Sequence, residues 1–383
     1  MRHIFLLILP VLLCGCAASE HNIHTETTNL PPVPDVTEQT APETIATEPP
    51  DPIQMLLDAM TVEEKVGQLF LARCPGGNEI AEIEAYHLGG YILFGQDFDD
   101  ETPDSFRKKI ERWQSASPVP LLIAVDEEGG TVCRVSSHSA FRSSRFPSPR
   151  ESYASGGMEQ VLETEKEKAG LLHSLGINVN MGPVCDIATG FNAFMYPRSL
   201  GEGPEETARF VSATVRIMEN HKTGSVLKHF PGYGNNGDTH TDMVQDDRAL
   251  EELEEKDLIP FAAGIGAGCD AILVSHTIIA AMDDTSPATL SPAVHDYLRN
   301  TMNFKGVIVT DDLVMEAITD AYGPEEAAVL AVLAGNDLLC STDYPVQYKA
   351  VLEAVQSGRI PEPQLEESVM RILNWKKELG LIF

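Results

Sequence analysis

The chain has 383 residues and a formal net charge of −31, from 58 acidic and 27 basic side chains. A surface of that sign repels phosphate, which argues against nucleic acid as a partner and suits an exported, soluble domain. None of the seven cysteines forms a C-x-x-C pair that would suggest zinc.

The chain opens on a targeting segment, residues 1–15. Arg2 and His3 precede an apolar run from Ile4 to Leu13. The run is too short for a permanent membrane span and fits the core of a signal peptide. It ends in Leu13-Cys14-Gly15-Cys16, which resembles a bacterial lipobox. That resemblance implies a lipidated Cys16 as mature N-terminus, held at the extracytoplasmic face of a cell membrane. Residues 16–52 are rich in Thr, Pro and Glu and nearly free of large apolar side chains, so they read as a disordered tether.

Residues 53–383 are long enough for one large α/β domain. Short apolar runs predict eight strands: 66–72, 90–94, 121–126, 177–181, 225–229, 271–276, 307–311 and 337–340. Amphipathic stretches between them predict helices over 103–115, 157–175, 204–221, 251–264, 291–301 and 324–334. Three of these start at Pro, which suits a first helical turn. Alternation of this kind predicts parallel pairing, and eight units predict a TIM-type (β/α)8 barrel in a single domain. Cys74, Cys133, Cys185, Cys269 and Cys340 lie mostly in or beside apolar runs, and are expected to be buried free thiols.

A barrel carries its chemistry at the C-terminal ends of its strands. The predicted ends hold Asp126, Asp186, Lys228 with His229, His276 and Asp311. The loop Lys228-His229-Phe230-Pro231-Gly232-Tyr233-Gly234-Asn235-Asn236-Gly237-Asp238-Thr239-His240 is too rich in Gly, Pro and Asn for regular structure, yet it carries four ionisable groups. Asp238 and His240 flank one residue, so carboxylate and imidazole can meet, which would orient the ring and raise its pKa. The run Gly306–Thr310 ends in Asp311-Asp312, where one carboxylate can face the barrel mouth and the other can cap the next helix-like segment.

The stretch from Lys228 to His240 resembles the signature loop of the family 3 glycoside hydrolases, in their β-N-acetylhexosaminidase branch. Val125-Asp126-Glu127-Glu128-Gly129-Gly130 is similar to that family's Asp-x-Glu-Gly-Gly motif. Tyr196-Pro197-Arg198-Ser199-Leu200-Gly201 is similar to its Arg-Ser/Ala-Phe-Gly turn, and Asp311-Asp312-Leu313-Val314-Met315 to its Asp-Asp-Leu-x-Met motif. Tyr233 stands where the family usually has His, Thr131 where it usually has Arg, and no Pro follows His240. Arg134 keeps the next arginine of its motif.

The resemblance implies a retaining exo-β-N-acetylglucosaminidase. Asp311 would be the nucleophile, and the Asp238–His240 pair the acid/base. Asp126, Arg198, Lys228, His229 and, more weakly, His276 would hold the sugar. It implies no metal and no organic cofactor. The expected substrate is an N-acetylglucosamine-containing glycan of cell-wall or chitin type, and the enzyme is expected to be a monomer. Within the family the alternatives are a β-N-acetylglucosaminide phosphorylase and a β-glucosidase. Outside it they are a sugar-binding lipoprotein and a metal-dependent barrel hydrolase with His229, Asp238, His240, His276 and Asp311 as ligands.

Overall fold

The computed structural model describes residues 51–236 and 244–383. The leader, Cys16 and almost all of the expected tether therefore lie outside the described residues, as do Asp238 and His240.

Eight parallel strands follow one another around a barrel: β1 (Phe70–Arg73), β2 (Gly90–Leu93), β3 (Leu122–Val125), β4 (Val179–Asn180), β5 (Gly224–Phe230), β6 (Ala271–Val274), β7 (Val307–Thr310) and β8 (Leu339–Ser341). Each pairs with its sequence neighbours, as in Ala72 with Tyr91 and Val309 with Leu273. Phe70 pairs with Leu339, and a bridge from Val309 to Leu338 closes the ring. The fold is a TIM-type (β/α)8 barrel, as the alternation predicts.

β3 and β6 are runs of Val, Ile, Leu and Ala because helices cover their outer faces and side chains fill the interior. β4 is the shortest, and side chains supply what its backbone omits. Asn178 Oδ1 accepts from the N–H of Ile123 at 2.8 Å, and its Nδ2 donates to Leu121 O at 3.0 Å. Asn180 makes the same reciprocal pair with the backbone of Glu127.

Helix starts follow local chemistry. Pro103, Pro204 and Pro324 each open a helix, and Thr61 with Glu64 and Ser148 with Glu151 form capping boxes. The first capping box corrects an expectation. Val66, Gly67 and Gln68 belong to the helix Val62–Gln68 rather than to β1, which starts at Phe70. Among the described residues the first helix is Pro52–Ala59, capped by the Asp51 carboxylate. The helix Pro149–Ser174 starts earlier than expected and breaks at Gly156 and Gly157. Gly157, at φ 64°, takes a left-handed conformation that favours glycine. Five free cysteines are buried, as their apolar surroundings predict.

At the N-terminal end of the barrel the charges are structural. Asp337, just before β8, accepts from Arg299 at 2.6 Å, Arg371 at 2.8 Å, Ser368 at 2.9 Å and the N–H of Ile308 at 2.8 Å. Lys376, on the helix Glu362–Glu378, is fully buried and donates to Gln68 Oε1 at 2.6 Å. Burial pushes its ammonium pKa down to about 7. The unfolded chain therefore binds more protons at this site between pH 7 and its ordinary value of 10.5. The stability that the site contributes is full above that range and is lost as the pH falls to 7. In urea titrations, Lys376→Met is expected to abolish this component. The stability of the variant relative to the parent should be highest near pH 6 and decline steadily towards pH 9. A difference that does not vary with pH would contradict a neutralised lysine.

Candidate active site

Chemistry collects at the C-terminal end of the barrel. β3 runs into Asp126 and then into a hairpin of Glu127–Gly129 and Val132–Cys133. Glu127, the first residue of that hairpin, is fully buried. It accepts from the N–H groups of Arg134 at 2.9 Å, Val135 at 2.7 Å and Ser136 at 3.3 Å, and from the Ser136 hydroxyl. Gly129 has φ 104°, and a Cβ there would lie 2.2 Å from the carbonyl oxygen of Pro147. The Gly-Gly pair is thus a requirement of close backbone approach. It leaves Asp126 and Glu128 on either side of an anchored Glu127.

Both outer carboxylates meet Lys228. Its Nζ lies 2.6 Å from Asp126 Oδ1 and 2.6 Å from Glu128 Oε1. Glu128 also takes a forked pair from Arg198, with Nε at 2.9 Å and Nη2 at 2.7 Å. Arg198 Nη2 then donates to His229 Nε2 at 3.2 Å. A guanidinium can only donate, so Nε2 must accept, and the imidazole proton sits on Nδ1. That nitrogen faces Asp186 Oδ2 at 2.7 Å. Asp186 also accepts from the backbone N–H of His229 at 3.1 Å and of Tyr233 at 2.8 Å. A continuous relay therefore runs from Asp126 through Lys228, Glu128, Arg198 and His229 to Asp186.

The relay is buried, and its charges shift together. Burial pushes the Glu128 carboxyl up, but Arg198 and Lys228 outweigh that and hold it far below the usual carboxylate range. Burial alone would lower Lys228 and Arg198. The facing carboxylates instead raise both, so each stays charged. Lys228 and His229 are consecutive residues of one strand, yet both line the same cavity. The pairing of β5 with β6 shifts register between Leu227 and Phe230, and such an irregularity re-aims side chains.

Across the mouth, β7 ends at Asp311. Its backbone N–H donates to Val274 O at 3.2 Å, and its Oδ1 accepts from the N–H of Asp312 at 2.9 Å. Asp312 accepts from the Thr342 hydroxyl at 2.6 Å, from the Thr342 N–H at 3.2 Å and from the Val314 N–H at 3.2 Å. It ties the turn after β7 to the end of β8, and burial raises its carboxyl above the usual range. Asp311 and Asp312 both line a cavity of about 710 Å3, together with Asp126, Arg134, Arg198, Lys228 and His229.

His276 lies just beyond the end of β6. It is fully buried, with Nδ1 2.9 Å from Thr289 Oγ1 and Nε2 3.0 Å from the carbonyl oxygen of Asp312. It is not among the cavity-lining residues, and it braces the turn that presents Asp311. Tyr233 is buried, and its ring packs edge-on to His229 at 5.2 Å. Among the described residues no cluster of His, Cys, Asp or Glu could hold a metal ion.

Two contributors were not singled out from the sequence. Glu128 joins both cations, which local spacing cannot reveal. Arg134 lines the cavity beside Phe94, its guanidinium 5.5 Å from that ring, and its Nε has no hydrogen-bond partner among the described residues. Its position three residues beyond Thr131, in the retained part of the motif, was the available signal.

The profile described as "Glycosyl hydrolase family 3 N terminal domain" matches residues 61–375. The chain belongs to this family. It is 29% identical to "Beta-hexosaminidase LpqI" of Mycobacterium tuberculosis over 332 residues, covering 83% of each chain. It is 35% identical to the "Beta-hexosaminidase" of Tolumonas auensis over 294 residues, covering 75% of this chain and 84% of the relative. Among solved structures, a family 3 β-N-acetylglucosaminidase from Paenibacillus sp. superposes with a TM-score of 0.78 at 34% identity. The match covers 84% of this chain but 63% of that one, so the chain spans just under two thirds of that enzyme.

The relay makes a stability prediction. Glu128→Gln keeps the volume but removes the charge between two buried cations. It should cost about 3 kcal/mol in urea unfolding, the range for breaking a buried ion pair. A loss below about 1 kcal/mol would show that the charge balance does not matter to the fold.

Proposed function

We propose that the protein is a retaining exo-β-N-acetylglucosaminidase that removes terminal N-acetylglucosamine from cell-wall or chitin-type glycans. The observation that carries this reading is the placement of the Asp311 carboxyl on a cavity whose other walls supply Asp126, Arg134, Lys228 and the Arg198–His229 pair. Such walls offer acceptors and fixed donors to sugar hydroxyls, and they line a cavity of ordinary small-ligand size. The hexosaminidase names of the relatives support the same reading.

In the first step an Asp311 oxygen attacks the anomeric carbon as its bond to the leaving oxygen breaks, and His240 gives that oxygen a proton. The product is a glycosyl ester on Asp311. In the second step His240 takes a proton from water, the water oxygen attacks the anomeric carbon, and the Asp311 carboxylate is released with net retention. Asp238 would hold the imidazole in the required tautomer. The relay beneath the sugar would keep Asp126, Arg198 and Lys228 fixed before substrate arrives. Such preorganisation is what electrostatic catalysis needs.

Turnover of 4-nitrophenyl β-N-acetylglucosaminide tests the assignment. Asp311→Asn should lower kcat by at least about a thousandfold, because no ester can form. His240→Ala should weaken turnover of an unactivated disaccharide far more than that of the nitrophenyl substrate, whose leaving group needs little protonation. Equal losses on the two would remove His240 from the acid role. Acceleration by added phosphate would indicate a phosphorylase.

The sequence also supports an anchor at Cys16, with the domain held at the extracytoplasmic face of the membrane. Cells expressing the full chain should retain activity in the membrane fraction, and Cys16→Ser should shift most of it to the soluble fraction. Equal partitioning of the two would rule out lipid anchoring through this cysteine.

A further inference from the structure

We propose that Phe191 and Tyr196 form an aromatic platform for the leaving-group side of the glycan, so that the enzyme favours chains over short glycosides. This inference rests on the glycosidase reading above and extends it to a specificity-determining surface.

A second groove, of about 830 Å3, opens beside the catalytic cavity. Thr131 and Pro197 line both spaces, so the two are continuous along one wall. Phe191 and Tyr196 line the groove beyond that junction. Phe191 is 81% exposed, the most exposed of the large hydrophobic side chains among the described residues. Its ring lies 5.3 Å from that of Tyr196, at an interplanar angle of 60°. A lone exposed phenylalanine means little, but one at the rim of a reaction cavity, beside a second ring, marks an interaction surface.

The loop that carries the rings is fixed at several points. Arg150 donates from Nε to Tyr196 O at 2.9 Å, and from Nη2 to Ala188 O and to Ser199 Oγ, each at 3.0 Å. Its guanidinium also covers one face of the Tyr196 ring at 3.8 Å. Gly201, at φ 89°, leaves room for that guanidinium, which a Cβ would meet at 2.5 Å. From the other side, Asn235 Oδ1 accepts from the N–H groups of Thr189 at 3.3 Å and Gly190 at 3.0 Å. Both the strand exit and the return of the loop are thereby held, and an otherwise costly exposed ring keeps its place.

The chemistry of the occupant is set by position. A glycan whose terminal sugar reaches Asp311 must lead its remaining rings out of the cavity, and the groove beyond Thr131 and Pro197 continues it. A β-linked pyranose presents axial C–H groups on its faces, which pack on an aromatic ring while the equatorial hydroxyls stay in water. The platform binds this ring equally in ground and transition states, so its loss should raise KM more than it lowers kcat.

The experiment compares the β-1,4-linked N-acetylglucosamine tetramer with 4-nitrophenyl β-N-acetylglucosaminide, for the parent protein, Phe191→Ala and Phe191→Trp. The ratio of kcat/KM on the tetramer to that on the nitrophenyl substrate should fall about fivefold in Phe191→Ala, mainly through KM. Phe191→Trp should restore it. A parent that turns over both substrates, with the same ratio in all three proteins, would overturn the platform and leave the glycosidase reading standing. A parent that turns over neither would overturn both.

Discussion

The Lys228 ammonium lies between the carboxylates of Asp126 and Glu128, nearly buried at the floor of the cavity, and the rest of the catalytic face is arranged around that contact. A buried cation must be paired and hydrogen-bonded to remain charged, and each carboxylate that pairs with it must be held in turn. Glu128 is held by Arg198, Arg198 is oriented by His229, and His229 is oriented by Asp186. The hairpin stapled by Glu127 and the paired glycines brings Asp126 and Glu128 to the same ammonium. No member of this chain can be displaced without leaving a charge or a donor unpaired. That makes it a rigid floor for a polar ligand rather than a source of net stability.

The two ends of the barrel show what position contributes. Asp337 and its two arginines form an ion network as dense as that around Lys228, but at the N-terminal end, where strands begin and helices return. Its carboxylate has all its partners within the fold, including a backbone N–H and a serine hydroxyl. The network at the C-terminal end opens on a cavity, and there Arg134 Nε is unpaired among the described residues. Ionic density alone does not separate the two. The space beside it does.

Much of this was legible in the sequence, because apolar runs and their breaks are local. All eight strands lie at the expected places, and Pro103, Pro204 and Pro324 open the helices they were expected to open. The extension of β1 back to Val66 failed because an apolar run followed by a strand can be the buried face of a helix. The Thr61–Glu64 capping box was the local signal against it. Asp311 and Asp312 both line the cavity, and Asp312 is in addition tied to Thr342 and to the N–H of Val314. His276 lies beneath the turn after β7 rather than among the cavity-lining residues. A histidine at a strand end can point under the next loop as readily as into the mouth, and the hydroxyl of Thr289 that meets it is distant in sequence. Glu128 was missed for the same reason, since its partners lie 70 and 100 residues away.

The central claim is that Asp311 forms a covalent bond to the sugar. The most direct test is to inactivate the protein with a fluorinated N-acetylglucosaminyl fluoride, which forms the glycosyl ester quickly and loses it slowly, and to sequence the labelled peptide by mass spectrometry. One added sugar per chain is expected, carried by Asp311 in the peptide that contains Asp311-Asp312-Leu313. A label on Asp312 or elsewhere would contradict it, as would release of a product of inverted configuration from the natural glycan.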